Sequence, residues 1–163
     1  MKTTDNAGSE IWRLKEHGRV KHILLEKYLK AWIPILGKYE SKICYFDGFA
    51  GPGEYSDGEV GSPIIALRTA SSLDKYFNKM ICIFVEKDDN NLINLKNKIE
   101  LEKQNLNLSK IDYGTENNEF AKVVDDILKS TENIIPSFFF IDPFGYSHAP
   151  FKIIKKIMQN PKT

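Results

Sequence analysis

Two cysteines and three histidines among 163 residues leave little material for metal chemistry. Cys44 and Cys82 sit in separate apolar runs without the clustered His or Cys neighbours of a zinc site. In a reducing compartment they stay free thiols and read as small buried hydrophobes. Long hydrophobic runs are missing too: none approaches the roughly 18 to 20 residues a membrane helix needs. The first ten residues are polar and lack the apolar stretch of a secretory signal, so a cytoplasmic protein with no membrane partner is expected. Neither sign of charge is in excess, because 23 Lys/Arg face 22 Asp/Glu for a net charge of +1. That balance argues against a general polyanion binder. No Gly-x-x-x-x-Gly-Lys-Ser phosphate loop and no Ser-His-Asp order occur. What is abundant is ordinary: 42% apolar and 28% charged residues, the composition of a folded domain with a substantial core.

The pattern along the chain alternates. Residues 1–9 read as a loose tail and 1–19 as a lead-in to a single domain at 20–163. Val20, Ile23, Leu24, Tyr28, Ala31 and Trp32 recur at three- and four-residue steps, the period of one helix face. Pro34 should end or kink that helix, with Gly37 as a stop. Three apolar runs, 43–46, 80–85 and 137–141, read as buried strands, and 106–113 as a fourth of lower apolar content. Helices are expected at 64–76, 88–104, 119–129 and 151–158, the first opened by a Ser62 cap and Pro63, the last by Pro150. The order, a helix and then four strand–helix units, predicts an α/β fold with a doubly wound, mainly parallel Rossmann-like sheet. The pattern stops after the fourth βα unit, at Asn160-Pro161. Four strands leave an exposed edge, so a domain truncated at that point is expected.

Chemistry concentrates at the strand tips. The first strand runs into Asp47-Gly-Phe-Ala-Gly-Pro-Gly53, three glycines within six residues behind an acid. Such a turn lets backbone N–H groups approach a ligand without Cβ clashes. With an acid in place of a Walker lysine, it suits a ligand carrying hydroxyls or an ammonium, such as S-adenosylmethionine (SAM). Asp47, Gly48, Phe49, Gly51 and Gly53 are the expected cofactor loop, Asp47 serving the ligand's ammonium directly or through water. Glu86 ends the second strand, where a carboxylate can accept both hydroxyls of a ribose; a helix cap or surface acid is its alternative. Asp112 is a candidate contact on the adenine side. Asp142, Pro143 and Phe144 end the third apolar run. A carboxylate and a backbone carbonyl at such a turn can hold an exocyclic amine while a ring stacks on the base. His148 is a local base or a solvated loop residue. Between residues 12 and 42, eight Lys/Arg face three Glu, a local +5 that either tracks phosphates or forms the solvated side of a helix.

These motifs resemble the three-Cys-motif partner protein family, TcmP. The resemblance runs from about Lys21 onward. It rests on Lys21-His-Ile-Leu-Leu-Glu-Lys-Tyr-Leu-Lys-Ala-Trp32, Asp47-Gly-Phe-Ala-Gly-Pro-Gly53, Gly58-Glu-Val-Gly-Ser-Pro63 and Asp142-Pro-Phe-Gly145. It implies a class I SAM-dependent methyltransferase-like fold within a longer protein, and a cysteine-motif, radical-SAM-like partner protein of phage or mobile elements. Asp142-Pro-Phe-Gly145 is also similar to the motif of tRNA guanine exocyclic-amine methyltransferases. It departs from the Asp-Pro-Pro-Tyr of adenine enzymes at Phe144 and Gly145. Residues 54–61 separate the glycine turn from the next helix, and Asp47 to Glu86 spans more than the roughly 20 residues of the dinucleotide pattern. The expected function is methylation of a nucleobase amine in RNA or DNA. The alternatives are a non-catalytic scaffold for the partner protein and a nuclease holding Mg²⁺ with Asp47, Glu86 and Asp142.

Overall fold

A single long helix precedes the sheet and sets its cover. The computed structural model describes residues 3–4, 10–11, 13–130 and 135–159; the rest of the expected 1–9 tail and the stop at Asn160-Pro161 lie outside them. Within the lead-in, Thr3–Thr4 pairs antiparallel with Glu10–Ile11, a short ladder where only a loose tail was expected. Helix α1 then spans Glu16–Tyr39.

One expectation for α1 is narrowed and another corrected. Pro34 lies inside it and does not end it, and Gly37 is a buried helical residue, not a stop. A proline costs a helix interior about 3 kcal/mol. Here Leu25, Leu29 and Ile33 are at most 3% exposed, and each such side chain returns about 2 kcal/mol by leaving water. Gly37 is small for a reason of contact: a Cβ there would stand 2.4 Å from the Tyr76 carbonyl oxygen and 2.8 Å from the Phe77 Cβ. Of the apolar residues read as one face, Trp32 packs on the core but most of the others point outward. Val20, Ile23, Leu24 and Tyr28 are each more than half exposed, and Ile35 and Tyr39 extend that outer stripe.

Strands β1 (Ile43–Asp47), β2 (Met80–Val85), β3 (Ile111–Glu116) and β4 (Ser137–Phe140) form one parallel sheet in the order β3-β2-β1-β4. Helices α2 (Ser62–Ser72), α3 (Asp89–Glu102), α4 (Phe120–Ser130) and α5 (Phe151–Met158) alternate with the strands. Because successive strand residues point to opposite faces, β1 feeds two apolar clusters. Ile43 and Tyr45 join α1, α2 and α3 on one side. Phe46 joins α4 and α5 on the other. The sheet is therefore covered on both faces, as a doubly wound Rossmann-like α/β fold requires.

Cys44 and Cys82 are buried free thiols. Burial pushes the Cys44 thiol up to about 11 and raises that of Cys82 well above its ordinary value, so neither is a reactive thiolate. Among the described residues no helix is long and apolar enough to cross a membrane.

Candidate functional site

The chain runs from β1 outward to β2 and β3, then returns across the sheet to β4 on the other side of β1. The reversal opens a crevice beyond the carboxyl ends of β1 and β4, where open α/β sheets bind their ligands. Asp47 and Asp142 stand at its two lips. The glycine turn bridges it: Gly48 N donates to the Phe140 carbonyl of β4 at 3.0 Å and Ala50 N to the Val85 carbonyl of β2 at 2.9 Å.

The turn needs its glycines at two points. Gly51 and Gly53 have φ of 66° and 81°, in the left-handed region. At Gly53 a Cβ would also meet the Leu95 side chain at 2.9 Å and its Cα at 3.3 Å. The inserted segment 54–61 then closes on itself. Glu54 bridges Val60, Tyr55 N donates to Glu59 O at 2.8 Å, and Gly61 N donates to Gly53 O at 2.8 Å. The chain thus leaves as a small hairpin and returns to where it left, which absorbs the long spacing noted in the sequence. Helix α2 starts at that point, but Ser62 is not its cap: Gly61 holds the cap position, and Ser62 is a buried first-turn residue.

Ser62 turns its hydroxyl to Asp47 instead. The Asp47 carboxyl is fully buried and also accepts from Phe49 N and from Tyr45 Oη, both at 3.2 Å. Burial pushes its pKa up to about 6 against these three donors, and the charge of Asp142 adds to the rise. Glu86, 7% exposed, accepts from Gly51 N and Asp88 N, both at 2.8 Å. It is neither a surface acid nor the cap of α3, since Asp88 caps that helix through Asn91 N at 2.9 Å. Its position ties the glycine turn to the tip of β2. Neither Asp47 nor Glu86 forms an ion pair among the described residues.

Asp142 is partly buried and pairs with Lys21 Nζ of α1 at 2.5 Å. Pro143 is half-buried beside it. Phe144 is 91% exposed and lines the mouth of a pocket of about 160 Å³. Glu86 and Lys87 from the tip of β2, Asn118 and Phe120 at the start of α4, and His148 form its walls, with Gly48 and Phe49 on the loop side. Gly48 has no room for more, since a Cβ would meet Phe120 Cδ2 at 2.6 Å.

Asp112 is not brought to this site. The strand begins at Ile111, later than the apolar pattern at 106–113 suggests, and Asp112 pairs in register with Ile81 near the start of β2. It lies at the amino end of the sheet, exposed, with Lys79 Nζ at 2.7 Å. The carboxyl end of that strand carries Glu116 and leads to Asn118.

The site also recruits residues that the sequence did not single out as site candidates. Tyr45 lies two positions before Asp47, hence on the same strand face, and that period could have revealed it. Lys21, His22 and Tyr55 could not be found so, because their neighbours are distant in sequence. His22 stands 6.1 Å from the Tyr55 ring, and burial holds its pKa below the usual value although Asp142 and Glu59 raise it. Part of the basic segment faces acids: Arg19 of α1 meets Asp57 at 2.9 Å and Glu59 at 3.6 Å, and Arg13, just before the helix, meets Asp57 at 3.5 Å. Among the described residues no group of three or more His, Cys, Asp and Glu is placed to hold a metal ion, so the geometry lends the nuclease alternative no support. Compared with models of known protein families the chain matches none, and no curated protein matches it.

Proposed function

We propose that the chain is a SAM-dependent methyltransferase whose acceptor is an exocyclic amine of a nucleobase in RNA or DNA. The observation that carries this reading is the pair of buried carboxylates, Asp47 and Glu86, at the carboxyl ends of β1 and β2 beside the topological switch, neither in an ion pair among the described residues. Buried charges without partners are costly, and a ligand that brings positive charge and hydroxyls offsets that cost. The residues fit SAM on this ground. Asp47, with no exposed surface, would act on the α-ammonium through a bridging water. Glu86 keeps a lone pair on each oxygen for the ribose hydroxyls beyond its two backbone bonds. The pocket walls at Lys87 and Asn118 leave space for the base. SAM, when bound, supplies an electrophilic methyl group.

The rest falls to the chain. Asp142 can accept an N–H of the incoming amine and orient its lone pair, a contribution of position and not of proton abstraction. Lys21 already occupies one of its oxygens, so the acceptor amine competes with an ammonium of this chain's own helix. Phe144 offers an open ring face beside that carboxylate.

Calorimetric titration with SAM tests the reading. Binding by the wild-type chain that Asp47→Ala abolishes supports it, and affinity should fall as the pH drops below about 6, where Asp47 takes up its proton. An Asp142→Ala chain that still transfers methyl groups to RNA or DNA as the wild type does would refute the amine assignment. A second reading has its own observation. The exposed stripe of Val20, Ile23, Leu24, Tyr28, Ile35 and Tyr39 on α1 suits a non-catalytic scaffold that docks a protein such as the three-Cys-motif partner. Turnover without any partner present would count against that scaffold.

A further inference from the structure

The hairpin at 54–61 is held too firmly to be a spacer. Its backbone closes through the Glu54–Val60 bridge and the Gly58 N bond to Tyr55 O at 3.0 Å. Its acids are strapped on both sides, Asp57 and Glu59 to Arg19 of α1 and Glu54 to Lys98 of α3. Val60 packs on the core. What this frame presents is Tyr55.

The Tyr55 hydroxyl lies 3.9 Å from the point where a Cβ on Gly51 would sit, so the phenol stands beside the glycine turn. Its other neighbour is the His22 ring. Burial above all, then the charges of Asp47, Asp142 and Glu86, push its pKa up to about 12. The phenol therefore stays neutral while it feels the charge of all three strand-tip acids. A neutral phenol there adds no charge. It adds a π face and an oxygen lone pair, both of which attract a cation, and the lone pair is the end that stands beside the glycine turn.

We infer that Tyr55 reads the positive charge of the methyl donor, holding the sulfonium of SAM in preference to the neutral thioether of S-adenosylhomocysteine. This rests on the SAM reading above and assigns a specificity role within that site. A donor and a spent product differ there by one methyl group and one charge, and a residue that senses the charge lets the product leave while the donor stays.

The test is calorimetric titration of wild-type, Tyr55→Leu and Tyr55→Phe chains with SAM and with S-adenosylhomocysteine, each chain first melted to check that it folds. Tyr55→Leu should weaken SAM about tenfold and shift S-adenosylhomocysteine by no more than about twofold. Tyr55→Phe keeps the ring and the fold, and should fall between wild type and Tyr55→Leu for SAM alone. Equal losses for both ligands, or no loss for either, would overturn the role of Tyr55 and leave the SAM site standing. Failure of the wild-type chain to bind either ligand would remove the SAM reading and this inference together.

Discussion

At the carboxyl edge of the sheet Asp47 is fully buried and accepts from a phenol, a hydroxyl and one backbone amide. At the amino edge Asp112 is 64% exposed and meets a lysine at 2.7 Å. The two are the same residue type near opposite ends of neighbouring parts of one sheet, yet only the first carries stored chemical potential. Asp112 was given its countercharge by the fold and water, and nothing more is asked of it. Asp47 is hydrogen-bonded but held without a countercharge among the described residues, beside the glycine turn, and buried acids of this kind cluster at ligand sites. The glycines divide in the same way. Gly53 has φ of 81° and no room for a side chain, while Gly114, in the middle of β3, has nothing within 4 Å of an added Cβ.

The sharpest way to break this contrast is at the glycines. Gly53→Ala should destabilise the fold by about 3 kcal/mol, adding the left-handed penalty to the contact with Leu95. Gly114→Ala should be neutral or stabilising by up to about 1 kcal/mol, because alanine restricts the unfolded strand more than glycine does. Urea denaturation midpoints at one pH decide both. Equal effects would mean that the turn is not under the constraint described.

Next in size is the acid itself. The Asp47 pKa of about 6 in the folded state lies above its ordinary 3.8, so folding disfavours its ionised form. Below about pH 4 both states hold the proton and the group costs nothing; as pH rises through 6 stability is lost, up to about 3 kcal/mol, and the loss stays constant above. Asp47→Asn should therefore match wild type near pH 4 and exceed it in stability at pH 8, while losing the SAM binding proposed above. A stability gain at pH 4, or none at pH 8, would contradict a buried carboxylate. The smallest effect is expected at Asp112→Asn, within about 0.5 kcal/mol and fading further in high salt, because an exposed pair is screened.

Much of the site was legible in the residues. Each of the runs ending at Asp47 and Glu86 became a strand within a residue of its expected bounds, because a continuous apolar run between turn signals is a local property. The glycine turn was legible for the same reason, since φ is set residue by residue. Other readings failed where the determinant is not local. On α1 two apolar stripes compete, and Leu25, Leu29 and Ile33 win the core because they fit against β1 and α2, a choice no helical period makes. At 106–113 apolar content suggested a strand that begins only at Ile111, where pairing with Met80 starts.

The order of elements, the doubly wound class and the acids at two strand tips were determined by the sequence alone, since they follow from periodicity and from glycine's freedom. Tertiary structure decided the rest. Only strand order put Asp47 and Asp142 on opposite lips of one crevice, and only the hairpin's return brought α2 and Ser62 back to the glycine turn. The Lys21–Asp142 pair joins residues 121 positions apart. Contacts at that separation leave no mark on local sequence, because the energy that selects them is burial and charge summed over the assembled sheet.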